Sequence, residues 1–556
     1  MAQNDIDFFF GAPASVAERR RRAALRDGLA HGNRITPSDP LPDEPVTLSL
    51  YTNAAMPIDR VAVYYTTDAT EPGGLRGVST TSDVVLALPG DVRPDASTGL
   101  NVRVWQATIP GQPDRSLVRY RADGWSLHDA ARHWWADSVD PVGRPPEGGQ
   151  IFAYSVDRYQ PPSWLDDAVI YQVFVDRFAT AAGEPPMRDP GTIKGIFGGT
   201  LRGVLEKLDY LQALGITCIW LTPVFESPSA HRYDPADHYH VADRVGGDVA
   251  LVELIQAAHA RDMRVLLDFV ANHTSNRHPR FVEALADPTS EAARWYAIGP
   301  EWPRGYAAYA NVPTMPELMT ERPEVQRHLV GVALDWLSYF RADGLRLDYM
   351  PGPSLGFWAT FQHGVKQRHP NALTLGEITE PLSDIAAYAG RVDAFMDFPL
   401  THLLRDVFAL RTAPLDDLLT YLDARAPDLP PHMGRATLLD NHDMQRFLWL
   451  AKHDTARLQL AAACQLTLDG TPIIYYGTEI GLSQADDARK ENAHARAPMI
   501  WDERQDHALL EYFRRLIALR LAHPALRHGA RVRVPVRLED APGADDVSDQ
   551  VGAYVR

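Results

Sequence analysis

Gly344-Leu345-Arg346-Leu347-Asp348 is the stretch from which the fold of this chain is read. Side chains alternate along a strand, so Arg346 and Asp348, two residues apart, share one face of it. Three other runs are built alike: Leu266-Leu267-Asp268-Phe269-Val270-Ala271-Asn272-His273, Thr374-Leu375-Gly376-Glu377-Ile378 and Leu438-Leu439-Asp440-Asn441-His442-Asp443. Each reads as a buried strand that breaks into polar residues at its C-terminal end. In a parallel barrel those ends converge on one face, and that is where such folds carry out chemistry.

Working outward, candidate strands fall at Ala168–Phe174, Thr217–Leu221, Val265–Val270, Gly344–Leu347, Leu373–Gly376, Ala394–Asp397, Thr437–Leu439 and Pro472–Tyr476. Helical patterns lie between most of them, among them Leu201–Leu214, Ala250–Arg261 and Pro323–Phe340. This alternation predicts an α/β protein, a (β/α)8 TIM barrel over 159–525. The interval 271–322 is too long for a plain connection after the third strand and is rich in Pro, Trp and Tyr. It reads as a small domain inserted over the face that carries the polar strand ends.

Before the barrel the pattern changes. Residues 1–45 form an N-terminal extension ending in a proline-rich joint. Over 46–158, short β-rich runs (Val46–Leu50, Val61–Tyr65, Val84–Leu88, Val102–Trp105 and Leu117–Tyr120) are separated by Gly, Pro, Asp and Ser clusters, which predicts a β-sandwich. Trp105, Trp125, Trp134 and Trp135 are read first as its aromatic core and only second as sugar platforms. After a last helix at Asp506–Leu521, the runs Val532–Val536 and Gly552–Val555 predict the first strands of a C-terminal β-domain over 526–556, apparently truncated.

At 556 residues the chain exceeds what one core serves. Its 45% hydrophobic and 23% charged content is that of a globular protein. A net charge of −17 disfavours nucleic acid and anionic membrane as partners. The basic run Arg19–Arg22 reads as a solvated helix face. Two cysteines, Cys218 and Cys464, lie in apolar runs and offer no disulfide framework. The N-terminal residues carry neither a basic segment nor an apolar one of leader length, and no 18-residue apolar run is present, so the expected location is cytoplasmic.

A single strand-end aspartate is ordinarily a helix cap or an ion-pair partner, and a single buried histidine a satisfied core residue. Four such motifs in order are different. Together they resemble glycoside hydrolase family 13, the α-amylase family, over roughly 160–525. Asp268-Phe269-Val270-Ala271-Asn272-His273 resembles its D-x-V-x-N-H, and Gly344–Asp348 its G-x-R-x-D; Glu377 ends a strand, and Asn441-His442-Asp443 completes the set. Met315-Pro316-Glu317-Leu318 and Ser227–Asp234 resemble segments of the neopullulanase, cyclomaltodextrinase and maltogenic amylase group.

The resemblance implies a retaining glycosidase. Asp348 would be the nucleophile, Glu377 the general acid and base, and Asp443 the carboxylate that holds sugar hydroxyls and steadies the transition state. Arg346 would keep Asp348 ionised and aimed. His273 and His442 would bind hydroxyls, Tyr233 would stack on a sugar, and Asp234 would pair with Arg446 to close the terminal subsite. Asp268 and Asn272 are read as supporting residues. The implied substrate is an α-glucan, cleaved at α-1,4 bonds of malto-oligosaccharides or cyclodextrins, with α-1,6 cleavage or transglycosylation besides.

An exo-acting α-glucosidase or a glucanotransferase is the alternative, and a non-catalytic sugar-binding member is disfavoured because all three carboxylates are retained. In position only, the N-terminal domain resembles the extra domain of the neopullulanase-type group, and this resemblance implies a homodimer formed through it. Met319 where the group has Asn, Thr379 where it shows Trp, and Tyr349–Pro353 after the nucleophile depart from its pattern. No D-x-N-x-D-G run follows the first strand, and no HxxxH or HxH helix pairing stands with a carboxylate, so neither calcium, another metal nor a cofactor is expected.

Overall fold

The computed structural model describes residues 16–129, 132–137, 149–189, 191–300, 302–424, 432–485, 492–534 and 552–556. Eight parallel strands close into a barrel: β1 (Ile170–Val173), β2 (Cys218–Leu221), β3 (Arg264–Val270), β4 (Gly344–Asp348), β5 (Leu373–Gly376), β6 (Ala394–Met396), β7 (Gly434–Thr437) and β8 (Thr471–Tyr475). Closure comes from β8 pairing with β1, Ile170 opposite Ile473. These strands are buried along nearly their whole length, which is why they read as continuous apolar runs instead of alternating ones.

Seven of the eight lie within a residue or two of their predicted places. The exception is β7, which starts at Gly434 and ends at Thr437, where the sequence pattern had it begin. Leu438 and Leu439 are buried but already lie past the paired segment, on the way to the polar turn. Helices cover the barrel outside. Pro323–Asp335 continues through a wider turn, Trp336–Phe340, as one rod. The segment expected as one helix from Leu201 to Leu214 breaks at Lys207 into Leu201–Glu206 and Leu208–Leu214.

The N-terminal sandwich comprises two five-stranded sheets. In one, Val46–Asn53 is flanked by Asn101–Ile109 and by the short strands Leu29–Ala30 and Ile35–Thr36. In the other, Ser116–Trp125 lies between Phe152–Val156 and Arg60–Thr66. The run around Val84–Leu88 splits: Asp83–Leu86 pairs in the second sheet and Leu88–Pro94 in the first, so the chain crosses between sheets at Ala87. Trp105 is core, with its indole N–H bonded to Thr52 Oγ1 at 3.0 Å. Trp134 and Trp135 are only half-buried.

The basic run is not wholly solvated. Arg21 pairs with Asp95 and donates to Ser97 Oγ at 2.9 Å, pinning helix Val16–Asp27 to the sandwich through Ala24 and Leu25. The sandwich packs on barrel helix Leu355–Arg368, where a Cβ at Gly356 would meet Ile151 O at 3.0 Å. Polar ties reinforce the seam: Arg119 to Gln326 at 3.0 Å and His432 to Asp39 at 2.6 Å.

The segment after β3 folds as expected of an insertion. It holds helix Pro279–Ala286 and is closed by isolated bridges from His273 to Glu317 and from Tyr296 to Leu318. Beyond helix His507–Ala522, capped by Asp506, the strands Val532–Val534 and Ala553–Val555 pair antiparallel. The rest of the predicted C-terminal strands, 535–551, lies outside the described residues.

Candidate active site

The C-terminal ends of β3, β4 and β5 meet at one guanidinium. Arg346, fully buried on β4, reaches Asp348 Oδ1 at 2.7 Å and Asp268 Oδ1 at 2.9 Å through Nη1, and Glu377 Oε1 at 2.7 Å through Nη2. Register explains the meeting: Asp268 on β3 pairs across from Arg346, and Arg346 from Leu375 on β5, two residues before Glu377. Asp268 is saturated. Its other oxygen accepts from Trp220 Nε1 at 3.0 Å and Tyr233 Oη at 2.7 Å, so it acts as a bracket and not as a reactive group.

The residue after Asp348 is held in an unusual conformation. Tyr349 has φ of 40°, costly for a residue with a Cβ. This turns its N–H toward Glu377 Oε2, at 2.9 Å. Strain at this point places a fixed donor on Glu377 and ties β4 to β5 at the site.

Three carboxylates around one cation leave the cluster anionic, and all are buried. Burial raises Asp348 well above the usual carboxylate range, with Glu377 and Asp268 adding to it against the pull of Arg346. Burial likewise raises Glu377, opposed by Arg346 and reinforced by Asp443. The pair Asp348 and Glu377 therefore keeps a proton where exposed carboxylates have lost theirs.

Asp443 has the opposite character. Burial acts to raise it, but His442 and Arg496 outweigh burial and hold it below the usual range. His442 Nε2 lies 2.9 Å from Asp443 Oδ2, and Arg496 Nη2 donates to Oδ1 at 2.6 Å. Gln172 of β1 faces His442 Nδ1 at 2.7 Å, which leaves the other ring nitrogen to carry the hydrogen toward Asp443. Tyr233 stacks on the His442 ring, 5.0 Å between centroids and 3° from parallel. His273 bonds to Tyr233 O at 2.8 Å, is kept neutral by burial, and stacks on Tyr309 of the insertion at 4.8 Å.

Asp348, Glu377, Asp443, Arg346, Tyr233, His273 and His442 thus gather in one place. The expected pair of Asp234 and Arg446 does not form. Asp234 accepts from Ser227 Oγ at 2.7 Å and from Ser229 Oγ. Arg446 is buried, lies over Tyr475 at 3.9 Å, and donates to Ala495 O at 2.8 Å and Tyr476 O at 2.6 Å. Its cation is spent on carbonyls behind the site. In bonding to Ala495 it fixes the residue next to Arg496, so it acts on Asp443 through its neighbour.

Sequence reading missed Arg496, because no local motif marks it. It also missed Gln172, although a lone amide within the apolar run Ile170–Val173 was a signal that could have been used. Of the insertion's aromatics, Tyr309 reaches the site, edge-on to Tyr349 at 4.8 Å. Trp295 is buried against His328, and Tyr306 packs on Phe281.

A closed parallel barrel with an acidic trio beyond its strand ends, two members on one buried arginine and the third paired with His442 and Arg496, is the arrangement of a barrel glycosidase. The alpha amylase catalytic domain family matches residues 172–508. Alpha-amylase 2 of Dictyoglomus thermophilum is 34% identical over 385 residues, covering 68% of this chain and 67% of that protein. A cyclomaltodextrinase from a Bacillus species is 34% identical over 449 residues, 76% of this chain and 78% of its own length. A solved cyclomaltodextrinase superposes with a TM-score of 0.64 at 29% identity, covering 93% of this chain and 88% of its own, sandwich included. The chain belongs to the α-amylase family of glycoside hydrolases, and it is an α-glucan hydrolase.

Proposed function

We propose that this enzyme hydrolyses α-1,4-glucosidic bonds of malto-oligosaccharides and cyclodextrins with retention of configuration, with α-1,6 cleavage and transglycosylation as side activities. The observation that carries this is the arrangement of the carboxylates: Asp348 and Glu377 share one buried guanidinium, while Asp443 is paired separately with His442 and Arg496. Glu377 gives its proton to the leaving glycosidic oxygen as Asp348 Oδ attacks the anomeric carbon, forming a glycosyl ester and releasing the first product. Glu377, now the base, takes a proton from water. The resulting oxygen nucleophile displaces Asp348 and returns the α-anomer.

Asp443 faces the positive charge that develops on the ring, where an ionised carboxylate is worth most. Tyr233 offers its ring to the sugar, and His273 and His442 are assigned to hydroxyls. Asp234, held by Ser227 and Ser229, is assigned a supporting role, and Arg446 is assigned to positioning. The preference for short or cyclic glucans is supported by the insertion, which brings Tyr309 over the acidic trio.

Proton NMR of early products tests retention: the α-anomer should appear first. Asp348→Ala should lose natural turnover and regain part of it with azide; rescue of Asp443→Asn instead would move the nucleophile elsewhere. Turnover of maltotriose and β-cyclodextrin should exceed that of soluble starch, and pullulan measures α-1,6 cleavage. Starch cleaved fastest would refute the short-substrate reading.

The reading extends to the assembly and the compartment. Leu75, Val78, Leu86, Leu88 and Val92 are exposed apolar residues on the sandwich edge, and they support a homodimer through that domain, checked by light scattering of wild type against Leu88→Asp. Cys218 and Cys464 are unpaired, which supports a reducing, cytoplasmic setting. No described helix is long and apolar enough to cross a membrane.

A further inference from the structure

Three histidines from distant segments converge beside the root of the insertion. His238 lies on the strand Asp237–Val241, His278 caps helix Pro279–Ala286, and His328 lies on helix Pro323–Asp335. One ring nitrogen from each falls within 4.8 Å of the other two. His238 Nε2 donates to Val270 O, the end of β3, at 3.2 Å, so its lone pair sits on Nδ1. That Nδ1 is buried without a partner, and so is Nε2 of His328. Hydrogen bonding within the protein satisfies neither atom, although buried polar atoms are nearly always satisfied.

We propose that His238, His278 and His328 bind one divalent transition-metal ion, with zinc the best fit. The donors are neutral imidazoles, and burial lowers the proton affinity of all three, His278 and His328 to about 4. Neutral imidazole suits zinc and its neighbours, whereas calcium and magnesium need oxygen cages that this cluster lacks. The bond from His238 to a backbone carbonyl is the outer support that fixes the tautomer of a ligating histidine.

The rings are not parallel, 78° between His238 and His328 and 56° between His238 and His278, which lets their lone pairs converge. Tetrahedral zinc with bonds of about 2.0–2.1 Å sets its nitrogens about 3.3 Å apart, so the rings must close by up to about 1.5 Å through side-chain rotation. Water completes the fourth position. Of the nearby charges, Asp237 favours a cation here and Arg280, lying over Trp295 at 4.2 Å, opposes it.

His278 must change its hydrogen bonding to take part. Its Nδ1 accepts from the Arg280 amide at 3.2 Å and faces Tyr296 Oη at 3.4 Å. With Nε2 on the metal, Nδ1 carries the hydrogen and donates to Tyr296, whose hydroxyl turns to Thr274 Oγ1 at 3.0 Å. The helix cap at Arg280 is given up in exchange for the metal bond.

The placement assigns the ion a structural task. His278 enters the insertion, His328 follows its exit, and His238 comes from the connection after β2. One ion would staple both roots of the insertion to the barrel, and with them the segment that carries Tyr309 over the acidic trio. It would take no part in bond cleavage.

Calorimetric titration of the chelator-stripped, full-length enzyme with zinc chloride tests this. One ion per chain with micromolar or tighter affinity, and a melting temperature that rises with zinc, are expected. Cobalt in place of zinc should give the visible absorption of a low-coordinate nitrogen site, bleached by added zinc; this needs no variant to fold. His238→Ala and His328→Ala should each abolish binding, and His363→Ala, outside the cluster, should leave it intact. Absence of binding by wild type at 100-fold molar excess of zinc, an octahedral cobalt spectrum, or unchanged binding in His238→Ala or His328→Ala would each overturn the site.

Discussion

Arg496 stands 53 residues from Asp443 in the chain and 2.6 Å from it in space. Asp443 is only half-buried, and a charge-assisted bond there, together with His442, keeps it ionised. Arg496→Ala should lower kcat by about 100-fold, the scale for losing one such electrostatic group. The sign of the pH effect follows from the same contact. With Arg496 removed, the Asp443 pKa rises toward the ordinary range, so the acid limb of kcat/KM should move to higher pH. An unchanged acid limb would mean that the pair Asp348 and Glu377, and not Asp443, sets it. Arg446→Ala should give a weaker version of the same shift, because it holds Ala495 and does not touch the carboxylate.

At the scale of the element, the insertion after β3 joins stability to specificity. Its ladder is sparse: Leu318 N bonds to Asn272 O at 2.9 Å, and Met319 N to Trp295 O at 2.7 Å. Met319, the departure from the group's Asn, makes its bond through the backbone, so the side-chain change leaves this tie intact. Tyr309 is presented by a tight turn in which Ala310 has φ of 48°. Its ring contributes a stack on His273, and such aromatic contacts are worth about 0.5–1.5 kcal/mol. A sugar contact of the same size at this ring, lost in Tyr309→Ala, should reduce kcat/KM on maltotriose by about three- to tenfold through KM, with kcat nearly constant. A fall in kcat alone would mean that the ring serves the chemistry and not the fit.

For the whole molecule, the sandwich contributes a pH dependence unconnected with catalysis. His31 is buried in its core, with Nδ1 bonded to Ser49 O at 2.8 Å and Nε2 to Tyr120 Oη at 2.9 Å. Burial lowers its pKa from 6.5 to about 4. The unfolded chain therefore binds a proton between about pH 6.5 and 4 that the folded one refuses, and stability falls as pH drops through that window. The term amounts to about 3 kcal/mol. Urea unfolding of His31→Gln at pH 7 and pH 4.5 should show a smaller acid loss than wild type; equal losses would place the titration elsewhere.

Much of this protein is determined locally, by apolar runs that end in polar turns. A strand buried on both sides must be largely apolar, and its reactive residues stand where it ends, so Asp348, Glu377 and Asp443 announce themselves. The split of Val84–Leu88 between two sheets was invisible, because a strand crossing a sandwich has the same composition as one that does not. The meeting of Arg346 with Asp348 is legible in the strand, but tertiary structure alone decided which cation meets Asp443. The family resemblance points to Arg446 and not to Arg496, and nothing in their local sequence says which of the two meets a carboxylate. One turns inward onto carbonyls and the other reaches Asp443, and only the packing of β8 and the loop after it separates them. The histidine cluster is the same case: His238, His278 and His328 share no spacing, and their meeting follows from the path of the insertion across the barrel.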